Sequence, residues 1–293
     1  MSTLNVLYDA PGPRTRRLSR ILSVVLTVVL VTFAAWLLWR LGQQRTTVNG
    51  AVLSGLWDPK RWDIFTEGDV WYSLLVRGLL MGTLRAAGIA AVLALAAGVL
   101  LCFARSAHSP WIRIPTTIVL EFFRGMPVLL MMLFIMLGLG LSGVWPVVLA
   151  LTVYNGAIIG EALRAGIAAL PRGQREAGLS LGLTSTATRI IVEFPQAFRQ
   201  MLPIIVAQLV VLLKDTSLAY VVAYPEILRT AGTLTQFFGN RYAFSIFAVV
   251  LVIYLLVNFA LSALARWLAR RTGPKAEAAL ITQNTKTMGR ADA

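Results

Sequence analysis

Six stretches of this chain are apolar over the length of about 17–25 residues that a helix needs to cross a bilayer. They run Ile21–Trp39, within Leu74–Phe103, about Ile112–Leu141, about Val144–Glu161, about Leu202–Ala223 and about Ala243–Leu264. No arrangement of six such segments leaves a water-soluble domain, so the sequence predicts an all-α polytopic membrane protein. Composition agrees: 57% of the 293 residues are apolar and 14% are charged, whereas soluble domains carry about 25% charged residues. One cysteine and one histidine (Cys102, His108) exclude a disulfide scaffold and a Cys/His metal cage, and no metal site is expected. The first stretch follows Arg14, Arg16, Arg17 and Arg20 as a signal peptide would. Its apolar run is too long for that, and Ala34-Ala35-Trp36 is a poor cleavage site. It is read as a retained helix.

Loop charge sets the expected orientation. An even number of spans puts both termini on one side, and Lys and Arg favour cytoplasmic loops. Alternate loops carry 17 basic residues on the side of the termini and 6 on the other. Both termini are therefore expected in the cytoplasm, and the net charge of +14 calls for no nucleic-acid partner. The resulting organisation is a basic tail (1–20), a leading helix (21–39), an external loop (40–73), a helical core (74–268) and a polar tail (269–293). The external loop carries Trp57, Trp62, Trp71 and Tyr72, of the kind that sits at a bilayer interface, and a short surface-lying helix is expected there.

Between the fourth and fifth spans lie about forty residues, 162–202, far more than a connector requires. Ala177 and Leu181, then Ile190, Ile191 and Phe194, fall at helical spacing. Gly166, Gly173, Gly178 and Gly182 supply turn or close-contact points, and Pro171 and Pro195 mark segment ends. Amphipathic helices outside the bilayer must cover an apolar face, and a partner protein is the expected cover.

The segment Glu161–Pro203 resembles the signature loop of ABC-importer permeases, specifically the polar amino acid uptake family. Glu176-Ala177-Gly178, then Gly182, then Val192-Glu193-Phe194-Pro195 keep the loop's spacing, with Gly178, Val192 and Phe194 in place of Ala, Ile and Leu. Two further motifs match in order: Glu121-Phe-Phe-Arg-Gly-Met-Pro127 and Lys214-Asp-Thr-Ser-Leu218. Met131 stands where the family often has Gln. The resemblance covers about residues 74–268 and implies a five-helix type I permease core, to which the leading helix is an addition. That helix, with Leu7–Pro13, is similar to actinobacterial glutamate-uptake permeases.

From the resemblance follow a pore-forming subunit in the bacterial cell membrane, a second permease copy or homologue, an external substrate-binding protein and a separate ABC ATP-binding subunit that holds ATP and Mg. The chain itself is not expected to be an enzyme or to hold a cofactor, and it has no G-x-x-x-x-G-K-[ST] stretch. Glu176, Ala177, Gly178, Gly182 and Pro195 are the implied coupling residues. Glu176 offers a carboxylate to a partner's arginine, and Gly182 permits either close approach or a sharp turn. Glu161 and Arg164 are read as orienting the loop.

Charges at membrane depth are costly and tend to face a cavity or each other. Glu121 and Arg124 are three apart, so they share a helix face and can pair; Gly125 and Pro127 favour a break just after them. Glu121 and Asp215 are candidates for a substrate ammonium and Arg124 and Ser217 for its carboxylate, with the Thr216 hydroxyl also on the substrate pathway. The alternative for each is structural pairing. Arg77, Arg85 and Lys214 are expected to snorkel or pair. The rival function is a stand-alone ion-coupled secondary transporter or channel, which leaves the long loop without a task.

Overall fold

The structure is a computed structural model describing residues 12–46, 50, 52–107 and 109–272. His108 and the Leu7–Pro13 motif up to Pro11 lie outside the described residues. The chain divides into two units, one ending at Thr66 and one beginning at Glu67.

In the first unit, helix α1 (Pro13–Gly42) opens with proline at its first position, where a missing N–H costs nothing. Its apolar side chains are exposed along the whole span, as those of a lipid-facing helix are. The chain after α1 folds back on the helix end. Trp57 Nε1 donates to Leu38 O at 3.1 Å and Leu56 N to Leu41 O at 3.0 Å. Two-residue strands β1 (Arg45–Thr46) and β2 (Val52–Leu53) pair antiparallel, with Arg45 opposite Leu53. Where a surface helix was expected there are two 3-10 turns, Pro59–Arg61 and Asp63–Thr66.

Among its described residues, every regular element of the second unit is helical. Helix α2 (Gly68–Arg105) is continuous, with π-type turns over Tyr72–Leu84. Next come α3 (Pro110–Gly125), α4 (Val128–Gly138), α5 (Trp145–Ala168), α6 (Arg172–Ser180), α7 (Ser185–Tyr220), α8 (Ile227–Phe238) and α9 (Ala243–Thr272). Among the described residues five helices are long and apolar enough to cross a membrane: α1, α2, α5, α7 and the α9 region. The pair α3 and α4 makes a sixth.

That sixth span departs from a straight crossing. The axis turns by 104° between α3 and α4, at Met126-Pro127, where the sequence predicts a break. Eleven residues of α4 reach about 16 Å, short of a bilayer core. The predicted single span 112–141 is therefore a broken pair.

The forty-residue segment between the fourth and fifth predicted spans is itself mostly helical. Helix α5 continues past Glu161 to Ala168, and α7 begins at Ser185 rather than near Leu202. Only residues 169–184 lie between them, and α6 fills nine of those positions. Hydropathy falls where a helix leaves the apolar layer, but Gln, Arg and Ala there are good helix formers and keep the backbone wound. Pro195 likewise ends nothing. The π-type turn Arg189–Glu193 precedes it, and the helix runs through both Pro195 and Pro203.

Small residues hold the helices together. Ala86, Ala90, Ala94, Gly98 and Cys102 recur every four positions on α2 and are all buried, forming a flat stripe against α5. A Cβ on Gly98 would lie 2.7 Å from Ile159 Cγ2, and one on Gly160 would lie 3.0 Å from Gly98 O. Gly156 and Gly160 form a small-x-x-x-small pair of the kind that lets membrane helices approach backbone to backbone. A second such pair, Gly78 and Gly82, seats the start of α8: a Cβ on Gly82 would be 2.4 Å from Pro225 O. One polar bond joins α5 to α7, Gln208 Nε2 donating to the fully buried Asn155 Oδ1 at 2.8 Å.

Candidate functional site

The predicted coupling residues lie on α6 and in the turn after it. Arg172–Ser180 starts behind Pro171, which presets the entry, and ends at Gly182. Gly182 N donates to Leu179 O at 2.9 Å and Leu183 N to Gly178 O at 3.2 Å. This paired closure requires a left-handed residue, and Gly182 supplies φ of +82°. A Cβ there would meet nothing within 4 Å of this chain, and the turn is the role Gly182 fills within it. Thr184 Oγ1 then caps α7 by accepting from Ala187 N at 3.2 Å.

Gly178 is the residue that needs space. A Cβ on it would lie 2.5 Å from Thr188 Cγ2, so the α6 backbone rests directly on α7. This contact pins one face of α6 and leaves the other outward: Glu176 and Ala177 are exposed, and Leu181 is 83% exposed. Phe194, beside Pro195, stacks on Phe103 at 5.0 Å between ring centres and ties the start of α7 to the end of α2. Ile190 and Ile191 stay exposed on α7. The arrangement is a short rigid knob with a carboxylate and a leucine at its surface.

The charged pairs predicted separately form one ladder. Arg124 pairs with Glu121 at 3.3 Å within α3, and Arg164 holds Glu161 at 2.7 and 2.9 Å within α5. Arg105, at the end of α2, joins the two, reaching Glu121 at 3.2 Å and Glu161 at 2.5 Å. Three helices are thereby tied at the same end of the bundle that carries α6. Sequence reasoning missed Arg105 because it reads as an ordinary loop cation; its one signal is its position at a helix C-terminus, where cations are favoured.

The other predicted substrate residues do not join this ladder. Thr216 is buried, donates to Leu213 O at 2.6 Å and faces Tyr254 OH on α9 at 3.3 Å. Ser217 donates to Lys214 O at 2.9 Å. Lys214 and Ser217 line a cavity of about 580 Å³ whose other walls are mostly aliphatic, with Tyr254 and Asn258. Asp215 is half-buried and makes no hydrogen bond or ion pair among the described residues. Arg77 lies over the Tyr72 ring at 5.4 Å. Cys102 belongs to the packing stripe. Among the described residues no group of three or more His, Cys, Asp or Glu is placed to hold a metal ion.

A buried carboxylate that sequence reasoning passed over caps α8. Glu226 is fully buried, and its two oxygens accept from Leu228 N at 2.8 Å and Arg229 N at 2.6 Å. The Pro225-Glu226 start and Gly239 end are ordinary helix boundary signals. Burial pushes its carboxyl up to about 7, against the opposing pull of the two backbone N–H groups. An acid raised in the folded state binds its proton more tightly there than in the unfolded chain. Its ionisation therefore removes stability as pH climbs from about 4.5 to about 7, by up to about 3 kcal/mol. The unfolding temperature in detergent is expected to fall across that interval and to level off above it, and Glu226→Gln is expected to flatten the profile. An unchanged slope in the variant would assign the pH dependence elsewhere.

With this geometry in place, the comparisons with known proteins are informative. The model of the family described as "binding-protein-dependent transport system inner membrane component" matches residues 90–274. That span contains α3 to α9 whole and the C-terminal part of α2. The chain belongs to this family. A glutamate transport system permease protein from Corynebacterium glutamicum is 35% identical over 226 residues, covering 74% of this chain and 82% of the relative. A probable glutamine ABC transporter permease from Bacillus subtilis is 35% identical over 195 residues, covering 64% and 89%. Among solved structures, an amino acid ABC transporter crystallised with histidines superposes with a TM-score of 0.62 at 26% identity, over 69% of this chain and 95% of that one. A methionine ABC transporter in inward-facing form gives 0.53 at 17% identity, over 74% and 99%, a likeness of fold alone. The permease is thus a membrane component of a binding-protein-dependent transport system, with the α-helical architecture of ABC importer permeases.

Proposed function

We propose that this permease forms the pore of an ATP-driven importer for polar amino acids, with glutamate or a related acidic amino acid as substrate. The observation that carries the reading is the α6 knob, set on α7 by Gly178, closed by Gly182, and presenting Glu176 and Leu181 outward, in a chain of this family. The choice of glutamate is supported by the 35% identity to a permease named for it.

A separate ATPase, binding ATP and Mg, docks on α6 from the cytoplasm. The count of basic residues in alternate loops favours the same side for both termini, and an external binding protein delivers substrate opposite. A second permease, identical or homologous, completes the pore. ATP-driven closure moves α6 and, through Thr188 and the Phe194–Phe103 contact, the ends of α7 and α2; the ladder through Arg105 carries the motion to α3 and α5. Such a cycle is rigid-body switching between two packed arrangements. Glu121 and Arg124, both partly exposed at the α3 break, are the better-placed substrate contacts. Thr216 and Ser217 already spend their hydroxyl protons on local carbonyls.

The test is uptake of labelled glutamate into vesicles holding the purified complex with its binding protein. ATP alone should drive accumulation, and collapsing the proton and sodium gradients should leave it unchanged. Uptake that needs a gradient and ignores ATP would instead make this a secondary transporter.

A further inference from the structure

At the α6 end of the bundle two cavities adjoin, of about 700 and about 340 Å³, and they share Arg105, Arg113 and Arg164. The larger is ringed by six guanidinium groups, those three with Arg172, Arg175 and Arg189, against two carboxylates, Glu176 and Glu193. Internal pairing does not consume this charge. Arg105 and Arg164 are held by Glu161, and Arg189 stands 3.8 Å from Glu193. The side chains of Arg113 and Arg172, both exposed, meet no carboxylate or hydrogen-bond acceptor among the described residues. Arg175 has only a neutral partner, Ser185 Oγ, at 3.0 Å.

The smaller cavity differs in character. Ile114, Thr117 and Ile118 of α3 line it beside the shared arginines. The outer face of α3 continues as exposed apolar surface: Trp111 is 87% exposed, and Ile112, Ile114 and Ile118 more than half exposed. A helix with Trp at its first turn, an aliphatic face and a cationic face lies naturally along a membrane interface.

We propose that these joined cavities bind one anionic phospholipid, its phosphodiester headgroup among the arginines and the start of an acyl chain along Ile114 and Ile118. Guanidinium groups recognise phosphate oxygens through paired N–H donors. Basic pockets between membrane helices near the surface are suited to such headgroups. The apolar slot opening from the cationic one is what selects a lipid over a soluble phosphate, because a free anion would leave Ile114 and Ile118 uncovered.

Native mass spectrometry of the delipidated full-length chain, titrated with phosphatidylglycerol or phosphatidylcholine, tests it. Phosphatidylglycerol should bind at least about tenfold more tightly, and Arg113→Gln combined with Arg172→Gln should abolish that preference. Arg266→Gln, on exposed α9 surface, should retain it. Equal binding of the two lipids, an unaffected double variant, or equal loss in the Arg266 control would overturn the site. Glycerol phosphate displacing the lipid at matched concentration would show that the cavity takes free phosphate esters, and the lipid assignment would then be wrong.

Discussion

Reversing the charge of Glu176 is expected to abolish transport while leaving the permease folded and inserted. Glu176 is exposed on α6 and its carboxylate makes no hydrogen bond or ion pair among the described residues, so Glu176→Arg breaks no such bond within the chain. Under the proposed function the carboxylate meets a cation of the ATPase. A charge-assisted hydrogen bond contributes about 1.5–3 kcal/mol, and reversal replaces it with repulsion. ATP-driven uptake should fall by about a hundredfold or more, at wild-type protein level and with an unchanged unfolding profile. Stimulation of ATP hydrolysis by loaded binding protein should vanish with it. Normal uptake by the variant would remove α6 as the coupling element.

The second large effect belongs to the ladder. Glu161 is held by Arg105 from α2 and Arg164 from its own helix, and its side chain is 22% exposed. Glu161→Ala leaves two guanidinium groups facing each other without their carboxylate. Removing one partner of a buried pair costs about 3–5 kcal/mol; with this much solvent access a loss of about 2–3 kcal/mol is expected. For a chain of this size that lowers the unfolding temperature by about 4–12 °C. Arg124→Ala touches only the exposed end of the ladder and should shift it far less. Thermal unfolding in detergent compares the two directly. Equal, small shifts would mean that the ladder is a surface feature with no role in joining α2, α3 and α5.

What the sequence revealed and concealed follows from the range of the interactions involved. The spans were legible because hydropathy is local, and the Gly125–Pro127 break because proline and glycine act on their own backbone. Gly182 was legible as a special position, and its φ of +82° closes the turn after α6. The helices run beyond the predicted spans because apolar content reports membrane depth, whereas α5 and α7 continue as good helix formers past it. Gly178 departs from the usual Ala for a reason visible only once Thr188 is placed 2.5 Å from where its Cβ would be. Arg105 acquired meaning only when folding brought it to Glu161, 56 positions away. The Gly78/Gly82 and Gly156/Gly160 pairs, and the Glu226 cap, were present as readable patterns and went unread.

The most direct test of the central claim is affinity purification of the tagged chain from its native membrane in mild detergent. A stoichiometric ATPase carrying a phosphate-binding loop, retained by the wild type and lost with Glu176→Arg, is the predicted result. A chain that purifies alone, from membranes shown to contain such ATPases, would contradict it.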